Sequence, residues 1–83
     1  MNIVVYTVEG CLFCDKIKSF LSDNNLSYFE KDVSINEDYR NELIERNVQG
    51  IPFTVINNSR EFMGFNEDVK SALEELKNNN RKV

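Results

Sequence analysis

The stretch Ile3-Val4-Val5-Tyr6-Thr7-Val8-Glu9-Gly10-Cys11-Leu12-Phe13-Cys14 decides the reading of this chain. Its first five residues form an unbroken apolar, β-branched run, as expected of a strand covered on both faces. Val8-Glu9-Gly10 makes a turn, and Gly10 allows the backbone to approach the helix start closely. Beyond the turn, Cys14, Ile17, Phe20 and Leu21 recur at helical spacing among Asp15, Lys16, Lys18, Ser19 and Asp23. The only two cysteines of the chain therefore open a helix that leaves a central strand.

That position has chemical consequences. The first turn of a helix presents amide N–H groups without intrahelical partners and carries the positive end of the macrodipole. A thiolate there is stabilised, and in Cys-x-x-Cys motifs the pKa falls from about 8.5 to roughly 3.5–7.5. Cys11, at the helix start, is expected to attack as the thiolate. Cys14, one turn inside on the face of Ile17 and Leu21, is expected to be more buried and to resolve the mixed disulfide. A closed zinc site needs four ligands, and the chain has no histidine and no second cysteine pair, so no metal is expected. A structural bridge closing so short a loop would add little stability. Cys-x-x-Cys beside a strand–helix–strand pattern reads instead as a redox pair.

Composition sets the bounds around this motif. At 83 residues, a single domain spanning 1–83 with one modest core is expected. A net charge of −4 argues against a general nucleic-acid or anionic-membrane binder. The apolar start lacks a basic leader and is too short for a signal sequence, and no run is long enough to span a membrane. A cytoplasmic location is expected, where a cysteine pair is more often catalytic than structural. The end of the chain, Asn78 to Lys82, is expected to fray.

The rest of the chain supplies the frame. Helix one should end at Asn24-Asn25, since Asn tolerates a left-handed cap. Ser27 to Val33 alternates like an edge strand and is reached by a right-handed crossover from strand one. Ser34-Ile35-Asn36-Glu37 reads as a capping box opening helix two, with Ile35, Tyr39 and Leu43 inward and Ile44 beside them. Asn47 to Gly50 close that helix, and its charged residues form a solvated face. Pro52 opens strand three, Phe53 to Ile56, because a proline cannot sit inside a central ladder. Asn57-Asn58-Ser59 turns the chain into strand four, Arg60 to Met63. Asn66 is the expected N-cap of helix three, with Glu67 and Asp68 in its first turn and Val69, Ala72, Leu73 and Leu76 as its stripe. Phe13 lies off the stripe of helix one, either exposed beside the cysteines or packed on the loop before Pro52.

This order, with Cys-x-x-Cys at the first strand-to-helix turn, resembles the thioredoxin fold, and most of all its small glutaredoxin branch, over essentially the whole chain. Three segments carry the resemblance: Tyr6 to Cys14, Gly50-Ile51-Pro52, and Gly64-Phe65-Asn66-Glu67-Asp68. It implies an α/β fold with a four-stranded mixed sheet in order 2-1-3-4, helices one and three on one face and helix two on the other. It implies thiol–disulfide exchange on disulfide-containing proteins by a monomer, with no tightly bound cofactor and glutathione as a co-substrate. It also implies a cis Ile51–Pro52 bond in a loop facing the cysteines, leaving the Ile51 backbone free to pair with an extended substrate. Leu12, Phe13, Ile51, Pro52, Gly64, Phe65 and Asn66 become the expected neighbours of a bound thiol.

Four departures from the family pattern stand out. Leu12 replaces the usual proline, and Val8 replaces a lysine that meets a glutathione carboxylate. Met63-Gly64 stands for a double glycine, and Gly50 for a threonine. Losing a cation while keeping Glu9 nearby weakens attraction for the two carboxylates of glutathione. Gly64-Phe65 with Asp68 resembles the NrdH-type redoxins, which take electrons from thioredoxin reductase and serve ribonucleotide reductase. Glutathione and a flavoprotein reductase thus both stand as candidate donors. An iron–sulfur cluster carrier, using the first cysteine and glutathione, is a third reading.

Overall fold

The apolar run that opens the chain forms β1, Ile3–Thr7, in the interior of the sheet. The computed structural model describes residues 2–80. β1 pairs in parallel with β2 (Phe29–Asp32), which sets Val4 against Phe29 and Thr7 against Asp32. On its other side it runs antiparallel to β3 (Phe53–Ile56), with Ile3 against Ile56 and Tyr6 against Phe53. β4 (Arg60–Met63) pairs antiparallel with β3 and completes the order β2-β1-β3-β4. This is the mixed sheet that the sequence implies.

Alternation along the strands feeds two cores. Ile3, Val5 and Ile56 meet Ile17 and Leu21 of α1 (Leu12–Asp23) and Val69, Ala72 and Leu73 of α3 (Glu67–Asn80). Tyr6, Phe53 and Val55 point the other way and meet Leu43 of α2 (Glu37–Glu45). So α1 and α3 cover one face and α2 the other, as expected. Polar contacts pin α2 in place. Glu42 Oε1 accepts from the Tyr6 hydroxyl at 2.6 Å and from Lys31 Nζ at 2.8 Å, joining α2 to both β1 and β2.

The helix ends are set by asparagines. Asn25 (φ 57°) and Asn47 (φ 61°) take the left-handed conformation just past α1 and α2. In each case the next amide reaches back to a carbonyl in the last turn, Leu26 to Leu21 at 2.9 Å and Val48 to Leu43 at 3.0 Å. Leu26 and Leu21 then share one core, and Leu43 and Val48 pack together in the other, the apolar contact that accompanies this motif. The hairpin uses the same residue type. Asn57 and Asn58 both have positive φ, and the Ile56 carbonyl accepts from the Ser59 amide at 3.1 Å.

Three expectations are corrected. Ser34 does not cap α2: its amide and hydroxyl both donate to the Asp32 carboxylate, which holds it in the preceding turn. The N-cap is Asn36, whose Oδ1 accepts from the amides of Asp38 and Tyr39. Ile35 therefore precedes the helix and is 81 % exposed, since Arg40, its would-be staple partner one turn in, is polar. Ile44 is exposed too, because this short helix presents only the row of Tyr39 and Leu43 to the sheet. The third correction concerns the end of the chain. Helix α3 continues through Asn80 rather than fraying at Asn78, and Lys77 is tied to Asn24 by a 3.1 Å hydrogen bond. Residues 81 and 82 of the expected frayed tail lie outside the described residues.

Candidate active site

Gly10 (φ 78°) turns the chain from β1 into α1, and Cys11 becomes the N-cap with extended backbone angles. The amide of Cys14 donates to Cys11 Sγ at 3.1 Å. The two cysteines are joined as a disulfide, with Cα atoms 5.2 Å apart, within the ordinary span of such a bridge. Cys14 is 1 % exposed and Cys11 half-buried, so Cys11 is the more accessible member of the pair.

The floor of the site comes from the sheet. Ile3, Val5 and Ile56 face α1, so by alternation Thr7, Thr54 and Pro52 lie on that face as well. Extending the β1–β3 register by one step sets Thr7 against Pro52. Pro52 is fully buried and comes after a cis bond from Ile51. Gly64 (φ 84°) donates its amide to the Pro52 carbonyl at 2.7 Å, which closes the turn after β4 onto the same end of the sheet. The start of α1, Pro52 and the Gly64 turn thus share one end of the molecule.

The other expected neighbours divide into two groups. Leu12 and Phe13 project outward, 64 % and 53 % exposed, and Lys16 Nζ stands 5.3 Å from the centroid of the Phe13 ring. Of the two placements open for Phe13, the exposed one holds. Ile51 is half-buried and packs with Val8 on the core under α2. Phe65 turns inward and meets Phe20 of α1 edge-on, at 5.8 Å between centroids. Asn66 is occupied as a cap: its Oδ1 accepts from the Val69 amide and its Nδ2 donates to the Met63 carbonyl, each at 3.2 Å.

Two arrangements near the site were not read from the sequence. The Thr7 hydroxyl, fully buried, donates to Glu30 Oε2 at 2.7 Å, and Lys18 Nζ donates to the same oxygen at 3.0 Å. The Thr7 hydrogen bond, then Lys18, hold the Glu30 carboxyl below the usual range. Met63 lies across Gly50, so that a side chain there would require the Met63 thioether to move. Gly50 does not need its glycine for backbone reasons, which is why turn chemistry gave no signal.

A thioredoxin-like fold with a bridged Cys-x-x-Cys at the start of its first helix defines a thiol–disulfide oxidoreductase. The chain belongs to the glutaredoxin family, whose model matches residues 3–61. Members of that family generally work without a tightly bound cofactor. A curated relative, the N-acetyl-S-hydroxy-L-cysteine reductase of Bacillus subtilis (strain 168), is 29 % identical over 68 residues, covering 81 % of this chain and 73 % of its own. Among solved structures, the thioredoxin-like protein BC3987 is 33 % identical, with a TM-score of 0.76, over 87 % of this chain and 99 % of its own. The glutaredoxin-like NrdH-redoxin of Escherichia coli superposes with a TM-score of 0.80 over 88 % of this chain and 95 % of its own; at 19 % identity it shares the fold. Among the described residues, no helix is long and apolar enough to cross a membrane.

Proposed function

We propose that the chain is a dithiol electron carrier that reduces disulfides held in proteins, with Cys11 as nucleophile and Cys14 as resolving thiol. The observation that carries this reading is the Cys14 amide donating to the sulfur of the half-buried Cys11, while Cys14 itself is buried. The Cys11 thiolate attacks one sulfur of the substrate disulfide. A Cys11–substrate bond forms, the substrate S–S bond breaks, and the departing thiolate takes up a proton. Cys14 then loses its proton and attacks Cys11 Sγ, which forms the intramolecular bridge and releases the second substrate thiol. The substrate gains two electrons and the carrier loses two. Leu12, Phe13, Ile51, Pro52 and Gly64 border the substrate, with Phe65 and Asn66 holding the Gly64 turn.

The donor that restores the dithiol is a flavoprotein reductase, and glutathione is the poorer co-substrate. Support comes from the motif's surroundings: Val8 stands where the family has its lysine, Glu9 is exposed nearby, and the rim at Leu12 and Phe13 is apolar. A reducing compartment such as the cytoplasm suits such a pair. The test offers the oxidised protein either glutathione with its reductase, or thioredoxin reductase with NADPH. Reduction by the second pair alone, with a potential nearer about −270 mV than about −200 to −230 mV, is the expected result. Efficient reduction by glutathione overturns the choice of donor.

The Bacillus subtilis relative favours a second reading, in which a small S-hydroxy thiol is the substrate. Cys11 would attack the hydroxyl-bearing sulfur, the S–O bond would break, and the hydroxide would leave as water after taking a proton. Cys14 would then free the small thiol. Mixing the reduced protein with N-acetyl-S-hydroxy-L-cysteine and monitoring bridge formation tests it.

A further inference from the structure

Side chains from β1 and α1 meet at one carboxylate oxygen on β2. The Thr7 hydroxyl, 1 % exposed, donates to Glu30 Oε2 at 2.7 Å, and Lys18 Nζ reaches the same oxygen at 3.0 Å. Register places this group relative to the cysteines. Glu30 pairs with Val5, so Lys18 of α1 is anchored near the level of Val5. Because β1 and β2 are parallel, α1 must run back along β1 to reach the start of β2. Cys14 lies four residues before Lys18, about 6 Å nearer the helix start. Thr7 lies two residues after Val5, about 7 Å nearer the same end. Cys14 and Thr7 are each 1 % exposed, and both face the layer between α1 and the sheet. The first buried residue of the helix therefore lies over the last residue of the strand.

A hydroxyl has one proton to give. Thr7 commits its own to Glu30, which leaves only oxygen lone pairs for another neighbour. The bond from Thr7, then Lys18, holds the Glu30 carboxyl below the usual range, so it is charged at neutral pH. Cys14 has no proton in the bridge and gains an S–H on reduction. Resting on the proposed role of Cys14 as resolving thiol, we infer that Glu30 is a positioning residue for it. By taking the Thr7 proton, Glu30 turns the bare Thr7 oxygen toward Cys14, where it accepts from the S–H and keeps that sulfur protonated while Cys11 carries the charge. A hydrogen bond made to the neutral form of an acid disfavours the charged form. The other charged groups around this layer are engaged elsewhere. Asp15 lies 3.7 Å from Lys18, and Asp32, opposite Thr7 on β2, accepts from Ser34. β3 contributes Thr54 and Pro52, and α3 the apolar Val69, Ala72 and Leu73.

The test reads Cys14 by itself. In the reduced full chain carrying Cys11→Ser, the carbon NMR shift of the Cys14 Cβ is followed from neutral to alkaline pH. Its midpoint should lie above about 8.5, the value of a free cysteine. Adding Glu30→Gln should lower the midpoint by about one unit, and adding Lys18→Met should raise it. Both variants break the same ion pair, so a merely structural role would move them in one direction. In a Thr7→Val background the Glu30→Gln shift should fall to about half or less, because the hydroxyl that carries it is gone. A midpoint unmoved by Glu30→Gln, one direction for both variants, or a shift undiminished without Thr7 would overturn the inference. None of these measurements needs turnover. Failure of the unsubstituted protein to reduce protein disulfides would instead overturn the reading of the cysteines, and with it the purpose of this contact.

Discussion

The amide of Cys14 lies 3.1 Å from the sulfur of Cys11 and donates to it. When the bridge opens, negative charge left on Cys11 meets this donor and the other unpaired amides of the first helical turn. The reduced protein should therefore carry one thiolate at neutral pH, visible in the ultraviolet. Cys14→Ser should keep that absorbance and Cys11→Ser should remove it. In activity, Cys11→Ser should abolish disulfide reduction. Cys14→Ser should block dithiol turnover yet accumulate a mixed disulfide that mass spectrometry detects. Full activity in the Cys11 variant would reverse the roles.

Stability should respond to pH through the groups that tie helices to the sheet. Glu30 is held below its ordinary 4.5, first by Thr7 and then by Lys18; Glu42 is held below it by Lys31 and then Tyr6. A carboxyl depressed on folding stabilises fully above its unfolded pKa, and that contribution is lost as pH falls through the folded value. Lys18 and Lys31 are raised above 10.5, each mainly by a carboxylate hydrogen bond, and burial raises Tyr6 above 10.0. Their contributions are complete below those values and lost as pH rises through the raised ones. The oxidised protein, whose thiols do not titrate, should thus hold a stability plateau between pH 4.5 and 10.0 and weaken on both sides. Thr7→Val should move the Glu30 titration back toward 4.5 and shift the acid limb upward. Carboxyl NMR on the two proteins checks this, and an unmoved Glu30 would show that Thr7 does not hold it.

How far an element can be read from the residues depends on the range of the interaction that makes it. β4 and α3 rest on periodicity and caps that lie within a few residues of each other, and so does the Cys-x-x-Cys turn. The left-handed asparagines after α1 and at the hairpin are equally local. Ser34 fails because Asp32, fixed at the end of β2, outcompetes the helix for its hydroxyl. Ile44 fails because apolar character states a preference for burial, not that a helix face is available. Of the site, the cysteines are legible directly, and Pro52 and Gly64 through family resemblance. The Thr7–Glu30 and Gly50–Met63 pairs join residues far apart in the chain, and only strand register and facing reveal them.

The cap of α2 offers a local stability test. Asn36 Oδ1 serves two orphan amides, at 2.9 Å from Asp38 and 3.4 Å from Tyr39. Asn36→Ala should cost about 1 kcal/mol, as losses of such caps do. In a domain of this size that lowers Tm by roughly 4–8 °C. Ser34 is exposed and bonds only Asp32 and, at 3.3 Å, the Glu9 amide. Ser34→Ala should stay within about 0.5 kcal/mol of the parent. Chemical denaturation of both variants decides the point, and the reverse order of losses would restore the capping box.

Phe65, which the sequence places beside the substrate, is packed by the structure against α1. Its ring meets Phe20 at an interplanar angle of 64°, and Lys70 Nζ stands 4.9 Å from its centroid. A groove of about 390 Å³ runs along this contact, with Lys16 and Lys70 among its lining residues. Edge-on aromatic pairs contribute about 0.5–1.5 kcal/mol beyond the area they bury. A double-mutant cycle of Phe20→Leu and Phe65→Leu should return a coupling energy in that range. The Gly64 turn would then be held at its angle by side-chain packing from α1, so loosening Phe65 should also raise KM for a peptide disulfide without a matching fall in kcat. A coupling near zero would mean that the Gly64–Pro52 backbone bond and the Asn66 cap position the turn unaided, and Phe65→Leu should then leave KM where it is.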